Sequence, residues 1–127
     1  MRFNLQFEIL SDFTYLPFLT QIFKRLKVPK ALVLTQILVE AYNNAVIHGN
    51  KKKKEKWVGV EISLTKRRAK IRVLDRGAGI KDYRLETADR RLKTWRSSGR
   101  GLKIIRALAK HVTSRKQRGK HIFEATV

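Results

Sequence analysis

The sequence predicts a two-layer α/β sandwich, in which helices pack on one face of a mixed, largely antiparallel sheet. Residues 2–9, 58–64 and 122–127 alternate between apolar and polar side chains, which is the period of half-buried strands. Between them lie segments whose apolar residues recur with the period of an amphipathic helix. The order of strand, two helices, hairpin, helix and hairpin then predicts the two layers.

The first helix is expected around Pro17, because proline is tolerated only in a first helical turn. Ser11 and Asp12 precede it as candidate helix caps. Its apolar stripe ends near Val28. The first helix therefore follows directly from the N-terminal strand.

The second helix is expected over about residues 30–48, with Gly49-Asn50 ending it. A β-hairpin follows, and its second strand runs through Val73. The third helix is expected from residue 102 to about His111, and a turn at Gly119 joins the last two strands.

Length and composition indicate one domain, residues 1–127, which is long enough to bury a single core. The chain has no cysteine, which excludes disulfides and thiolate metal sites. It contains no apolar run of the roughly 18 residues that a membrane span needs, and no signal-peptide pattern. We therefore expect a cytoplasmic protein without a membrane partner.

The net charge of +20, from 30 Lys and Arg against 10 Asp and Glu, favours binding to polyanions. The charge is scattered, however, and its densest run, residues 51–56, is expected to be a solvated loop between a helix and a strand. Neither zinc-finger spacing nor an aromatic RNA-binding signature is present. We expect nonspecific binding to nucleic acid at low salt, without specific recognition.

Glu40, Asn44 and His48 place polar groups at four-residue intervals in the otherwise apolar second helix, where they form one stripe. A carboxylate and an amide on adjacent turns suit a Mg²⁺ site, and the carboxylate can also deprotonate a nucleophile beside phosphates. The helix alone explains the stripe equally well as a solvated polar face.

A first glycine motif, Asp75-Arg-Gly-Ala-Gly-Ile80, follows the strand that contains Val73. Its two glycines, Gly77 and Gly79, allow the backbone to approach a ligand closely. The alternative is an aspartate that begins an ordinary turn.

A second glycine motif, Ser97-Ser-Gly-Arg-Gly-Leu102, precedes the third helix, and a helix N-terminus binds anions readily. The segment between the motifs, residues 81–98, is polar and of mixed charge, and a stretch this long between ordered elements is often a functional lid. Each glycine motif alone is a common turn pattern, so the order of the motifs carries the interpretation.

This order resembles the ATP-binding domain of the GHKL superfamily, the Bergerat-type fold that gyrase-type, heat-shock-chaperone and histidine-kinase ATPases share. The segment Glu40-Ala-Tyr-Asn-Asn44-Ala-Val-Ile-His48-Gly is similar to the Glu-x-x-x-Asn-Ala-x-x-His-Gly pattern of bacterial anti-sigma-factor serine/threonine kinases. The resemblance extends over nearly all of the chain.

The resemblance implies a role for each motif. Glu40 would be the general base toward a serine hydroxyl, Asn44 the Mg²⁺ ligand, and Asp75 the acceptor for the adenine amino group. His48 would belong to the ATP site, although packing or capping at the helix end explains it better. The other implied ATP-binding residues are Gly77, Gly79, Ile80, Ser98, Gly99, Arg100, Gly101 and Leu102.

Three features depart from the family pattern. Arg76 stands where the wider superfamily often has asparagine, and Gly119-Lys120 stands where Gly-Thr is common, so the water network around adenine is expected to differ. The lid is basic, and phosphate closure, partner docking or the overall charge would each explain this.

The resemblance implies an anti-sigma factor and serine/threonine kinase that uses ATP and Mg²⁺. Such a protein phosphorylates a small antagonist protein, sequesters a sigma factor and forms a homodimer. Two alternatives are an ATP-binding regulatory module without kinase activity and a basic nucleic-acid-binding protein. Glu40 argues against the first, because a module that only binds ATP needs no base there.

Overall fold

A computed structural model of the chain describes residues 2–76 and 99–127, with side chains described from Lys103 onward in the second segment. Five strands form one open sheet in the order β1-β2-β3-β5-β4. The strands are β1 (Phe3–Leu10), β2 (Trp57–Leu64), β3 (Ala69–Asp75), β4 (His111–Gln117) and β5 (Lys120–Thr126). Every pairing between them is antiparallel.

The helical elements all form one layer against this sheet, which confirms the predicted fold class. They are a 3₁₀ turn (Phe13–Tyr15), α1 (Leu16–Leu26), α2 (Ala31–Asn44), a π-helical turn (Ala45–Gly49) and α3 (Gly99–Leu108). Helix α2 lies at the centre of the layer, because it packs against α1 on one side and α3 on the other.

The core lies between the helices and one face of the sheet. Register places alternate strand residues on this face, as with Val60 opposite Val73 and Ile71 opposite Ala125, and all four are buried. The helices contribute fully buried side chains, among them Leu19, Phe23, Ile37, Leu38 and Ile105. This apolar interface is the main stabilising term of the fold.

The other face of the sheet is polar. Arg72 of β3 lies between two glutamates on neighbouring strands, 3.1 Å from Glu61 and 3.2 Å from Glu124. These are cross-strand neighbours in the register. Opposite charges on adjacent strands stabilise their pairing modestly.

Three local predictions need correction. Ser11 does not cap a helix: its hydroxyl donates to the Lys56 carbonyl at 2.8 Å, while Asp12 alone caps the 3₁₀ turn through the Thr14 amide. The second helix is α-helical only to Asn44. The third helix ends at Leu108 and not near His111, which already pairs with Thr126 in the sheet.

One other prediction on these segments holds. Residues 51–56 form a largely exposed stretch between the π-helical turn and β2, as expected for a solvated loop. None of the helices that the structure describes is long and apolar enough to cross a membrane.

Candidate functional site

The predicted polar stripe lies at the C-terminal end of α2. Asn44 is buried at 8% exposure, whereas Glu40 and His48 are half-buried. Glu40 and Asn44 keep the α-helical spacing, but His48 falls in the π-helical turn, so the regular stripe ends at Asn44. A π-helical turn within a helix is rare and frequently marks a functional site.

A small cavity opens between α2 and strands β3 and β5. Two of the predicted site residues, Asn44 and Asp75, line it together although they belong to different layers. The rest of its described lining is mainly apolar: Ala41, Ala45, Val73 and Phe123, with His121 at one side. The cavity therefore combines apolar walls with a few polar groups, as small-molecule sites do.

Asp75, the last residue of β3, is buried at 3% exposure. It pairs with His121 across the β3–β5 register, and its Oδ2 lies 3.1 Å from His121 Nδ1. A buried carboxylate is costly unless hydrogen bonds satisfy it, and His121 supplies one such bond. Asp75 thus presents a fixed acceptor beside the cavity.

The π-helical turn brings the helix backbone directly onto this carboxylate. The backbone N–H of Asn50 donates a hydrogen bond to the Ala45 carbonyl at 2.7 Å, and this bond closes the widened turn. A Cβ atom on Gly49 would lie 2.2 Å from both Cγ and Oδ2 of Asp75. Real atoms do not approach so closely, so a residue without a side chain is required at position 49.

Asn50 ties this region together and is itself fully buried. Its side-chain nitrogen, Nδ2, donates hydrogen bonds to Ser11 Oγ at 2.7 Å and to the Trp57 carbonyl at 3.2 Å. Its Oδ1 accepts from the Arg76 amide at 2.9 Å. The side chain therefore holds the residue that follows Asp75 at the start of the first glycine motif.

Burial shifts the pKa values of Glu40, in α2, and His48, in the π-helical turn, in opposite directions. It raises the pKa of Glu40 and lowers the pKa of His48, because burial disfavours the charged form of each. Glu40 with a raised pKa is a stronger base than an exposed glutamate, and His48 is held toward its neutral form. The Asn44 amide nitrogen has no hydrogen-bond partner among the described residues.

The glycine motifs are only partly described. Four of the predicted ATP-binding residues and the predicted lid lie outside the described residues. The four are Gly77, Gly79, Ile80 and Ser98. Gly99, Arg100, Gly101 and Leu102 are helical residues of α3 and not a loop before it. Because α3 packs against α2, the second motif still belongs to the same side of the molecule as Asn44.

Sequence reasoning missed three residues of this site: Gly49, Asn50 and His121. Gly49 was expected only to stop the helix, although its place beside His48 in the family-like pattern was a usable signal. Asn50 and His121 act through partners distant in the chain, and no local period reveals such contacts. Within the described residues there is no group of three or more His, Cys, Asp or Glu side chains that would hold a metal ion by themselves.

Comparison with known proteins adds independent information. A family model of the histidine kinase-like ATPase domain matches residues 15–123, which include the three described α-helices and every described residue that lines the cavity. A comparison with curated proteins gave no significant match.

Proposed function

Because this chain belongs to the histidine kinase-like ATPase domain family, we propose that it binds ATP in the cavity between α2 and strands β3 and β5. The observation that carries the proposal is the convergence of Asn44 and Asp75 on that cavity. Glu40 lies one helical turn before Asn44 on the same helix.

The residues present fit an adenine nucleotide. The ionised Asp75 carboxylate accepts hydrogen bonds only, so it matches the amino group of adenine and disfavours the carbonyl that guanine has there. The nitrogen of the buried Asn44 amide, which has no partner in the described part of the chain, needs an acceptor, and a nucleotide supplies several. The cavity therefore suits ATP better than GTP.

Mg²⁺ is compatible with the same site. The ion keeps several waters and usually takes only one or two protein oxygens besides the phosphates, so a single amide oxygen from Asn44 would suffice. When bound, Mg²⁺ neutralises charge that develops on the phosphates. The backbone amides of Gly99 to Leu102, at the N-terminal end of α3, would face the same anionic groups.

For catalysis we propose that the chain is a serine/threonine kinase. The hydroxyl oxygen of the acceptor attacks the γ-phosphorus, its proton passes to Glu40, and ADP leaves with the electrons of the broken bond. The raised pKa of Glu40 supports this role, since it makes the carboxylate a better proton acceptor.

The partners proposed for this activity are a small antagonist protein as acceptor and a sigma factor that the kinase sequesters. We also propose a homodimer and a cytoplasmic location. Exposed apolar side chains on the helical layer support a protein-binding surface, with Phe18 at 51% and Leu32 at 82% exposure. A sedimentation experiment that finds only monomer, with and without nucleotide, would contradict the homodimer.

The first experiment is calorimetric titration with Mg-ATP at about 0.3 M salt, which screens exposed charges. We expect saturable binding that Asp75→Asn weakens by about tenfold or more, because the amide presents a donor to the adenine amino group. Asn44→Ala should make the affinity for ATP independent of Mg²⁺. Asp12→Asn, the same change at a partly exposed cap outside the cavity, is the matched control.

Turnover is tested separately with γ-labelled ATP and purified candidate antagonist proteins. Glu40→Gln should lower phosphotransfer by about 100-fold or more while ATP affinity is kept. Glu8→Gln, on exposed β1, should change neither quantity. ATP binding without transfer in the wild type would indicate the regulatory module. Absence of ATP binding would leave nucleic acid as the ligand to test.

A further inference from the structure

Three side chains on adjacent strands form a hydrogen-bonded chain that begins in the wall of the cavity. Asp75 of β3 contacts His121 of β5, with 3.1 Å between Oδ2 and Nδ1. The other ring nitrogen of His121, Nε2, is hydrogen-bonded to Ser114 Oγ of β4. Asp75 and His121 are buried, at 3% and 6% exposure.

The sheet register produces this chain. Asp75 and His121 are direct partners in the β3–β5 pairing. Ser114 is opposite Phe123, two residues from His121, so its side chain is on the same face and diagonal to the imidazole. Diagonal neighbours in an antiparallel pair are within reach of a long or aromatic side chain.

The chemistry of the three groups orders their protons. An ionised carboxylate only accepts hydrogen bonds, so Nδ1 of His121 must carry the proton that it shares with Asp75. In the neutral ring Nε2 is then an acceptor, and the Ser114 hydroxyl donates to it. Both ring nitrogens are thereby engaged, which fixes the orientation of the imidazole.

We propose that His121, held by Ser114, is a positioning residue that orients the Asp75 carboxylate for recognition of the adenine amino group. A carboxylate bound through Oδ2 loses free rotation about its Cβ–Cγ bond, and that rotation sets the direction of its acceptor lone pairs. Preorganised acceptors bind more tightly because no ordering is needed on association. This inference rests on the proposed ATP site.

The connectivity Ser–His–Asp also occurs in nucleophilic triads, where the serine faces the substrate. Here the opposite end of the chain faces the cavity: Asp75 and His121 line it together with Asn44. Ser114 lies on β4, an edge strand, and is not among the described residues that line the cavity. The geometry therefore places the Asp75 carboxylate, and not the Ser114 hydroxyl, at the end of the chain that would face a ligand.

The test compares ATP with inosine triphosphate, which has a carbonyl in place of the adenine amino group and the same triphosphate. His121→Phe removes the hydrogen bond to the carboxylate and should lower the preference for ATP over inosine triphosphate by about tenfold. His121→Asn should keep the preference within about twofold of the wild type, because its amide nitrogen replaces Nδ1 as donor.

Ser114 is tested by a double-mutant cycle. Ser114→Ala should lower the preference for ATP in the wild-type background but have no effect in the His121→Asn background, where no Nε2 is present. Equal effects in both backgrounds would mean that Ser114 acts independently of His121. This result would overturn the proposed role of Ser114 in holding His121.

A spectroscopic measurement on the free protein is independent of nucleotide. The chain has three histidines, so ¹⁵N imidazole resonances of His121 can be assigned by their loss in His121→Asn. We expect a protonated Nδ1. A neutral ring protonated only at Nε2 would overturn the proposal even if His121→Phe failed to fold.

The outcomes separate the two proposals. Wild-type protein that binds neither nucleotide would overturn the proposed ATP site and this inference with it. Wild-type protein that prefers ATP, and a folded His121→Phe variant that prefers it equally, would overturn this inference alone.

Discussion

At the scale of single residues, Glu40 shows how function and stability oppose each other. The fold disfavours the charged form of this half-buried carboxylate, and burial therefore raises its pKa above the ordinary value of 4.5. The proposed role as a base needs the charged form. The chain thus keeps a group that costs stability at neutral pH, as functional sites commonly do.

Glu40→Gln should consequently raise the melting temperature at pH 7. The folded-state pKa exceeds the unfolded-state pKa, so the destabilising effect of the wild-type carboxylate is present above the folded pKa and vanishes below 4.5. Thermal melts of both proteins between pH 7 and pH 4 should therefore converge as the pH falls. A constant difference across this range would show that ionisation of Glu40 is not the cause.

Gly49 is the other residue at which one atom matters. Gly49→Ala would place its Cβ 2.2 Å from the Asp75 carboxylate. We expect a loss of about 1–3 kcal/mol of unfolding free energy, as for other overpacked sites, together with weaker ATP binding. Urea titration and calorimetry measure the two effects.

Gly59→Ala provides the matched control on β2. Its Cβ would meet the Leu74 side chain at 3.5 Å, which is ordinary contact. An alanine in a strand lowers unfolded-state entropy, so stability should stay equal or rise by up to about 1 kcal/mol. Equal behaviour of the two variants would refute the close approach at Gly49.

At the scale of elements, the site depends on how strand and helix ends are joined. Asn50 follows the π-helical turn of α2 and hydrogen-bonds to Ser11 after β1, to Trp57 at the start of β2 and to Arg76 after β3. Four chain segments therefore meet at one buried side chain. This junction sets the position at which the first glycine motif leaves the sheet.

Asn50→Ala should lower the unfolding free energy by about 3 kcal/mol, because it leaves several buried polar groups unsatisfied. Hydrogen exchange at the Arg76 amide, which now donates to Asn50, should accelerate more than exchange at the centre of β3. Asn4→Ala, at an exposed position of β1, should change stability by less than about 0.5 kcal/mol. Unchanged protection at Arg76 would contradict this account.

At the scale of the whole molecule, the net charge of +20 is the feature with the widest effect on stability and binding. Like charges repel in the compact state, and part of the basic excess lies in the exposed loop of residues 51–56. The same field attracts acidic partners and, at low salt, any polyanion. Salt dependence is therefore a general property of this protein and does not by itself identify a nucleic-acid ligand.

Raising the salt concentration from about 0.02 M to about 0.3 M should raise the melting temperature, because screening weakens the self-repulsion. Lys53→Glu, in the exposed loop, should raise the free energy of unfolding by about 0.5 kcal/mol at low salt and by much less at high salt. Thermal melts at both salt concentrations test this. A melting temperature that falls with salt would mean that attractive pairs outweigh the repulsion.

The sequence by itself determined the strands, the core-facing helices and the identity of the main polar residues. Each depends on local chemistry: alternation gives the strand faces, helical spacing gives α1 and α2, and the Glu40, Asn44 and Asp75 motifs are read along the chain. These features follow from backbone geometry, which acts over a few residues. The fold class could therefore be predicted, and it was confirmed.

Only the tertiary structure decided how the candidate site is assembled. Asp75 meets His121, 46 residues away, because β3 and β5 pair in one particular register, and it meets Gly49 because a π-helical turn widens the end of α2. The end of α3 was misplaced for a related reason, since the pairing of His111 with Thr126 in the sheet overrides its local helical pattern. Contacts between segments distant in the chain depend on register and packing, which no local sequence period encodes.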